Sequence, residues 1–208
     1  GIIPGGSGNS FLYDLNIKDP LAILAKILNF KKRLIDVIEI KTVDEILYSI
    51  NLVGWGFATD LGILAEKYRW LGPNRYTIMA LVEIIKNKTR NATLIINNKK
   101  INNQFTSIIA CNTKYVGKGM YIAPKASTND SLLDLIVVNG NLSRIKLFKT
   151  LPKLFKGTHI NDPNVAYYQV NNFSLVTKKN DPLNIDGELK GETPINVKVI
   201  PNAIEVFN

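Results

Sequence analysis

Residues 93–112 read TLIINNKKINNQFTSIIACN. Two apolar runs rich in β-branched residues, Thr93–Asn97 and Phe105–Asn112, flank the polar segment Asn97–Asn98–Lys99–Lys100. That is the composition of a hairpin turn between antiparallel strands. Outward from this hairpin the same texture repeats. Ile35–Ile40, Ile46–Val53 and Leu133–Val138 read as strands, as do Ala166–Val170, Phe173–Thr177, Leu183–Ile185, Ile195–Ile200 and Ala203–Phe207. Two helices interrupt them. One runs from Pro73 to about Lys86 and opens on proline after Gly72; the other runs from Leu142 to about Phe155, capped by Asn141 or Ser143. Many strands with few helices argue for a β-sandwich-like domain and against a doubly wound sheet.

The first 33 residues differ. Asn9 or Ser10 can cap a helix through Phe11–Leu15. Pro20 suits the first turn of another, Leu21 to about Lys32, with Leu21, Leu24, Ile27 and Leu28 on one face. The chain opens on Gly1 with a two-residue apolar stub, Ile2–Ile3, that runs into Pro4–Gly5–Gly6–Ser7–Gly8–Asn9. A glycine loop that opens a helix normally follows a whole strand of about five or six residues. The chain therefore reads as starting inside a domain, with a helical remnant to about residue 33. Having lost their sheet, these residues are expected to be poorly anchored or to dock against a neighbouring molecule.

Composition sets outer bounds. The 208 residues are 46% hydrophobic and 21% charged, with mean hydropathy +0.03, ordinary values for a soluble globular chain. No uncharged apolar run approaches the length of about 18 residues needed to span a bilayer. Cys111 is the single cysteine, which excludes an internal disulfide and favours a reducing, cytoplasmic setting. No basic and apolar leader pattern opens the chain. The net charge of +9 asks for an anionic partner, whether nucleic acid, an anionic lipid surface or nucleotide phosphate. Lysines in Asn/Lys-rich stretches such as 97–100 also fit a simple compositional bias.

Five motifs carry candidate chemistry. In Gly5–Asn9, three glycines let backbone N–H groups approach an anion and Ser7 adds a hydroxyl, so the loop is a phosphate cradle or a flexible turn. Asp186–Gly187–Glu188, after Leu183–Ile185, can aim two carboxylates at one Mg2+ or can be an Asp-Gly hairpin turn. In the block Trp55–Asp60 and Glu66–Tyr76, Arg69 and Arg75 are natural phosphate forks; alternatively Arg69 pairs with Glu66 and the aromatics belong to the core. The polar turn Asn129–Leu132 can hold a cation through Asp130 or form an Asx turn. Gly157–Thr158–His159 contains the single histidine, a packed or capping side chain or a site residue.

The order of these motifs resembles the diacylglycerol kinase catalytic family, most closely the branch of sphingoid-base kinases and their bacterial relatives. The resemblance runs over nearly the whole chain, and the Glu66–Arg75 block with Asp186–Glu188 is its specific part. It implies an α+β, mostly β architecture: residues 1–33 as the C-terminal remnant of an α/β nucleotide-binding domain, then residues 34–208 as a β-sandwich-like C-terminal domain. It implies an ATP- and Mg2+-dependent lipid kinase. Gly6, Ser7, Gly8 and Asn9 would then line the ATP site, with Arg69 and Arg75 on its phosphates. Glu188, with Asp186, would be catalytic. Asp60 would face the lipid hydroxyl or support the loop that does, His159 would lie near the mouth of the lipid pocket, and Asp130 with the Leu132 carbonyl would match a structural metal site. The partners implied are ATP and a lipid at a membrane surface, reached by peripheral association, and not nucleic acid; a homodimer stays open.

Two departures accompany the resemblance. The upstream Gly-Gly-Asp-Gly-Thr motif is absent, so these 208 residues alone are expected to be inactive. Where sphingosine kinases carry a second aspartate two residues beyond Asp60, this chain has Gly62, which favours diacylglycerol or another neutral lipid. A non-catalytic lipid- or membrane-binding homologue is the alternative. NAD kinase, which shares the two-domain plan, is disfavoured by the Glu-Lys-Tyr-Arg-Trp block.

Overall fold

In the computed structural model, residues 10–15, 20–117, 119–140 and 142–207 are described, with backbone alone at Pro20, Ala22, Ile23, Pro73 and Asn74. Two short helices come first, α1 (Ser10–Asp14) and α2 (Pro20–Leu28). Three strands follow: β1 (Lys32–Lys41), β2 (Ile46–Ser49) and β3 (Leu52–Gly56). A helical pair, α3 (Phe57–Lys67) and α4 (Arg75–Lys86), is joined by a 3-10 segment over Arg69–Asn74. The hairpin β4 (Arg90–Ile96) and β5 (Lys99–Cys111) precedes a small ribbon, β6 (Tyr115–Val116) and β7 (Met120–Tyr121). Then come β8 (Leu133–Asn139), α5 (Arg144–Lys156), a 3-10 turn at Thr158–Asn161, and β9 (Val165–Val170). The chain finishes on β10 (Asn172–Thr177), β11 (Pro182–Ile185), β12 (Glu188–Glu192) and β13 (Ile195–Phe207).

Eleven strands form one antiparallel sheet in the order β12-β11-β3-β5-β4-β10-β13-β1-β2, with β8 added on β5 and β9 on β8. It curls towards closure: a Cβ on Gly191 of β12 would meet Leu47 Cδ1 of β2 at 2.8 Å. The β4–β5 hairpin decides this arrangement. Asn97 and Asn98 take φ of 48° and 63°, the left-handed pair that a tight two-residue turn needs. Ile96 then pairs with Lys99, and the register carries through to Arg90 opposite Phe105.

Alternation along β5 and β8 assigns the two faces of the sheet. Ile108, Ala110, Leu133, Leu135 and Val137 enter the main core with Trp55, Phe105, Leu175 and Leu183. Ile109, Cys111, Ile136 and Val138 point the other way, into a second cluster with Val116, Ile122 and Leu154. This second face is the floor on which the helices sit.

Several expectations change. Ile46–Val53 is two strands rather than one, broken at Ile50–Asn51. Ile195–Ile200 and Ala203–Phe207 are one strand rather than two. Pro201 and Asn202 form a bulge, with Asn202 at φ 51°, opposite an interruption of register between Ile35 and Val37. The buried Asp36 fills the bulge, accepting from Asn202 N at 2.8 Å and from Ser131 N at 2.7 Å. Residues 10–15 are firmly anchored, against expectation. Phe11, Leu12 and Leu15 are buried against Ile35 and Val206, and Lys114 N donates to Asp14 Oδ1 at 2.8 Å. The α2 face of Leu21, Leu24 and Leu28 is exposed, together with Phe30.

Candidate active site

β3 runs straight into α3. Gly56 turns the chain at φ 80°, and a Cβ there would stand 2.6 Å from Thr106 O, so the second glycine of the Gly-Trp-Gly-Phe motif has a steric reason. Trp55 is core, its Nε1 donating to Asp181 Oδ2 at 3.1 Å. Asp60, on the inner side of α3, is held by Arg90 through two hydrogen bonds of 2.8 and 2.9 Å. That bond to Asp60, opposed by burial, raises the Arg90 guanidinium further above its ordinary value. Asp60 thus ties α3 to β4 through Arg90, and it does not line the cavity between the sheet and the helices.

Between the second face of the sheet and α3, α4 and α5 lies a cavity of about 650 Å3. Ile109, Ile136 and Val138 contribute from the sheet, Leu147, Leu151 and Leu154 from α5, and Phe11 and Leu12 from α1. Polar groups interrupt this apolar wall at Asn51, Glu66, Arg75, His159 and the Asp186–Gly187–Glu188 turn. The volume and lining are those of a small-molecule site.

The Asp186–Glu188 turn is a hairpin between β11 and β12, with Asp186 at φ 52° and Gly187 at φ 94°. Its two acids differ. Asp186 Oδ1 accepts from Ser49 Oγ at 2.6 Å, Asn51 N at 3.0 Å and Leu52 N at 2.9 Å; Oδ2 accepts from Ile50 N at 3.0 Å. This carboxylate is what breaks Ile46–Val53 into two strands. Glu188 is exposed and forms an ion pair with Lys190. The turn is braced from α3 as well. Asn184 Oδ1 accepts from Gly187 N at 3.0 Å, and a Cβ on Gly62 would stand 2.7 Å from Asn184 Nδ2. Gly62 thus leaves room for the side chain that braces the turn.

The two arginines separate. Arg75 is half-buried in the cavity wall, its Nε buried without a hydrogen-bond partner, its guanidinium 5.0 Å from the Tyr76 ring. Arg69 is exposed, pairs with Glu66 at 2.9 Å and does not line the cavity. Trp70, expected in the core if that pairing held, is instead 79% exposed. Gly6, Ser7, Gly8 and Asn9 lie outside the described residues, as does Asn141; Ser143 Oγ caps α5, accepting from Lys146 N at 3.3 Å.

His159 is buried, Nε2 lying 2.9 Å from Ile122 O, while Nδ1 has no partner. Burial lowers its pKa and so favours the neutral ring. Gly157 ends α5 at φ 69°, and a Cβ there would meet Tyr121 Cδ1 at 2.6 Å. The Gly-Thr-His motif therefore stops α5 against the segment Tyr121–Pro124 and buries the imidazole in the cavity wall. Asp130 lies elsewhere. Its Oδ1 accepts from Leu132 N at 3.1 Å, so it meets Leu132 through the N–H of an Asx turn, and neither residue lines the cavity. Burial raises the Asp130 pKa, and the charge of Asp36 adds to the rise.

Asn184, Arg90 and Ser49 were not singled out in the sequence. Asn184 alone left a local signal, an amide two residues before an Asp-Gly turn.

Residues 51–208 match the family model described as the YegS C-terminal NAD kinase beta sandwich-like domain. The chain belongs to the diacylglycerol kinase family by this C-terminal domain. A diacylglycerol kinase of Mycobacterium tuberculosis is 28% identical over 214 residues, covering 100% of this chain and 68% of its own length. The diacylglycerol kinase of Bacillus subtilis is 26% identical, covering 93% of this chain and 64% of its own length. Sphingosine kinase 2 of Arabidopsis thaliana is 24% identical, covering 84% of this chain and 46% of its own length. The crystal structure of a diacylglycerol kinase from Bacillus anthracis has a TM-score of 0.75 at 17% identity, covering 99% of this chain and 67% of that one. At that identity the likeness speaks for the fold. This chain thus spans about two thirds or less of these relatives, and no helix among the described residues is long and apolar enough to cross a membrane.

Proposed function

We propose that this chain is the lipid-accepting part of an ATP-dependent lipid kinase, which transfers the γ-phosphate of ATP to a lipid hydroxyl. The observation that carries the reading is an apolar cavity whose wall includes the Asp186–Gly187–Glu188 turn and Arg75. An acyl chain suits the Leu147–Leu151–Leu154 wall, and a hydroxyl held beside Glu188 would meet the exposed carboxylate as base or positioning group. Arg75, with an unpartnered buried Nε, suits a transferred phosphate as a charge-assisted donor.

ATP and Mg2+ belong to this proposal. Among the described residues, no three His, Cys, Asp or Glu side chains come together to hold a metal, and Asp186 is already occupied by four donors. In this reading Mg2+ arrives with the nucleotide, and Glu188 is the exposed acid of the Asp186–Glu188 turn. A neutral lipid such as diacylglycerol is favoured over sphingosine. Every acid in the cavity wall has a partner: Glu66 with Arg69, Asp186 with the Ser49–Leu52 segment, Glu188 with Lys190. A protonated amine would enter without an unpaired carboxylate, and desolvating it costs several kcal/mol, roughly.

The same partnering favours a second reading, a lipid-binding homologue without turnover. A radiolabelled ATP assay of the protein extended upstream, against a panel of neutral lipids and sphingosine, separates them. Phosphorylation of a neutral lipid supports the kinase. Binding without phosphorylation supports the second reading, and a tenfold or greater preference for sphingosine in kcat/KM overturns the substrate assignment.

A further inference from the structure

Helix α5 presents three stripes. Leu147, Leu151 and Leu154 line the cavity. Ile145, Phe148, Pro152 and Phe155, spaced three, four and three residues apart, share an outward face. Ile145, Phe148 and Phe155 are 68%, 58% and 53% exposed. At the same spacing beside them run Lys146, Lys149, Lys153 and Lys156. The helix, RIKLFKTLPKLFK, has no acidic residue, and its one ion pair among the described residues is Lys153 with Asp162 at 3.7 Å.

A helix that only walls a cavity needs an apolar inner face and a polar outer one. Here the outer face holds large apolar side chains in water, and the rest of it is cationic. That combination suits one occupant. Apolar side chains can sink below lipid headgroups while adjacent lysines meet lipid phosphates. An apolar protein surface would bury the phenylalanines but leave the lysines without counter-charge. We propose that α5 is the element by which this protein docks on an anionic phospholipid bilayer, lying in the interface with Ile145, Phe148 and Phe155 inserted. The proposal deepens the lipid-kinase reading and rests on it for its purpose, since the docked helix is also a wall of the lipid cavity.

Co-sedimentation of the 208-residue protein with vesicles tests this without ATP or turnover, so its failure and that of the kinase reading are distinguishable. Vesicles of equal phosphatidylcholine and phosphatidylglycerol should bind it at least about tenfold more tightly than phosphatidylcholine alone at ~0.1 M salt. K149E/K156E should lose at least about tenfold of that binding. F148S/F155S should lose about as much with its charge intact. All four positions are exposed, so melting temperatures should hold. A fluorophore sensitive to polarity on Phe148→Cys should shift to the blue on adding the mixed vesicles; Cys111 is fully buried and will not take the label. Absence of anionic preference, variants that bind like the parent, or a label unmoved by vesicles would overturn the proposal. A blue shift that instead tracks protein concentration without vesicles would also overturn it, assigning the face to a second copy.

Discussion

Asp186 and Glu188 are separated by one glycine, yet Asp186 has both oxygens engaged by the segment Ser49–Leu52 while Glu188 faces solvent beside Lys190. Substitutions should therefore split stability from turnover. Asp186→Ala leaves four donors to find water and should lower stability by about 1–2 kcal/mol, the lower range because the residue is partly exposed. Glu188→Gln should leave the melting temperature unchanged and cut turnover of the upstream-extended protein by at least about a hundredfold. Calorimetry alongside the lipid kinase assay checks both; a Glu188→Gln protein with normal turnover would reduce the turn to a hairpin. Asp134 allows a second test. It is fully buried, accepts from Tyr167 Oη at 2.5 Å, and its Oδ2 has no partner. Burial raises its pKa from 3.8 to about 6. The folded chain therefore holds this proton up to about pH 6, whereas the unfolded chain releases it near 3.8, so stability falls as pH rises through that window and stays lower above it. His159, its pKa lowered by burial, acts in the opposite sense, so the comparison is between parent and variant. Asp134→Asn should melt higher than the parent at pH 7–8 by on the order of a few degrees, with the gap closing towards pH 4. An unchanged gap across that range would show that Asp134 binds its proton equally well in the folded and unfolded states.

At the scale of elements, α3 was the helix missing from the sequence reading, and the reason is physical. Its buried side carries Thr59 and Asp60, the latter neutralised by Arg90 thirty residues on, and Gly62 lowers its helix propensity, which masks the short apolar stripe of Phe57, Leu61 and Leu64. β12 was hidden for the opposite reason. Its residues, ELKGE, form an exposed edge strand with no apolar alternation. The Asn97–Lys100 hairpin was legible because its turn is local, as was the start of α5, with Asn141 or Ser143 as its cap. The contrast between Asp186 and Glu188 was not, since the donors to Asp186 lie more than 130 residues away. Gly62 joins these observations. Glycine inside a helix costs about 1 kcal/mol relative to alanine, and here it leaves space for Asn184, which braces Gly187. Gly62→Asp, the acid sphingosine kinases would have there, should therefore displace Asn184, loosen the Asp186–Glu188 turn and lower kcat on diacylglycerol without creating sphingosine activity. Steady-state kinetics on both lipids decide it. A gain of tenfold or more in kcat/KM for sphingosine would mean that Gly62 acts through charge and not through space.

At the scale of the whole molecule, the division of labour expected from the family resemblance leads to the last prediction. The sheet closes around its own core, and α1 is anchored to it by Phe11, Leu12 and Leu15, so these 208 residues should fold cooperatively. The exposed face of Leu24 and Leu28 on α2, with Phe30, is the kind of surface that the sheet of an α/β domain would bury, in keeping with the proposal that residues 1–33 belong to one. Chemistry is a different matter. Phosphoryl transfer depends on positioned charge around both the nucleotide and the acceptor. The cavity supplies an apolar wall, the exposed carboxylate of Glu188 and the half-buried cation of Arg75. The relatives are longer by about a third or more of their length. Purified alone, the 208 residues should unfold in a single transition, bind Mg-ATP weakly in isothermal titration, and phosphorylate no lipid in mixed micelles. The upstream-extended protein should turn over in the same micelles. Robust turnover from the 208 residues would place the whole phosphoryl-transfer machinery within them, and Glu188 and Arg75 would then have nucleotide-binding partners among residues assigned here to the fold.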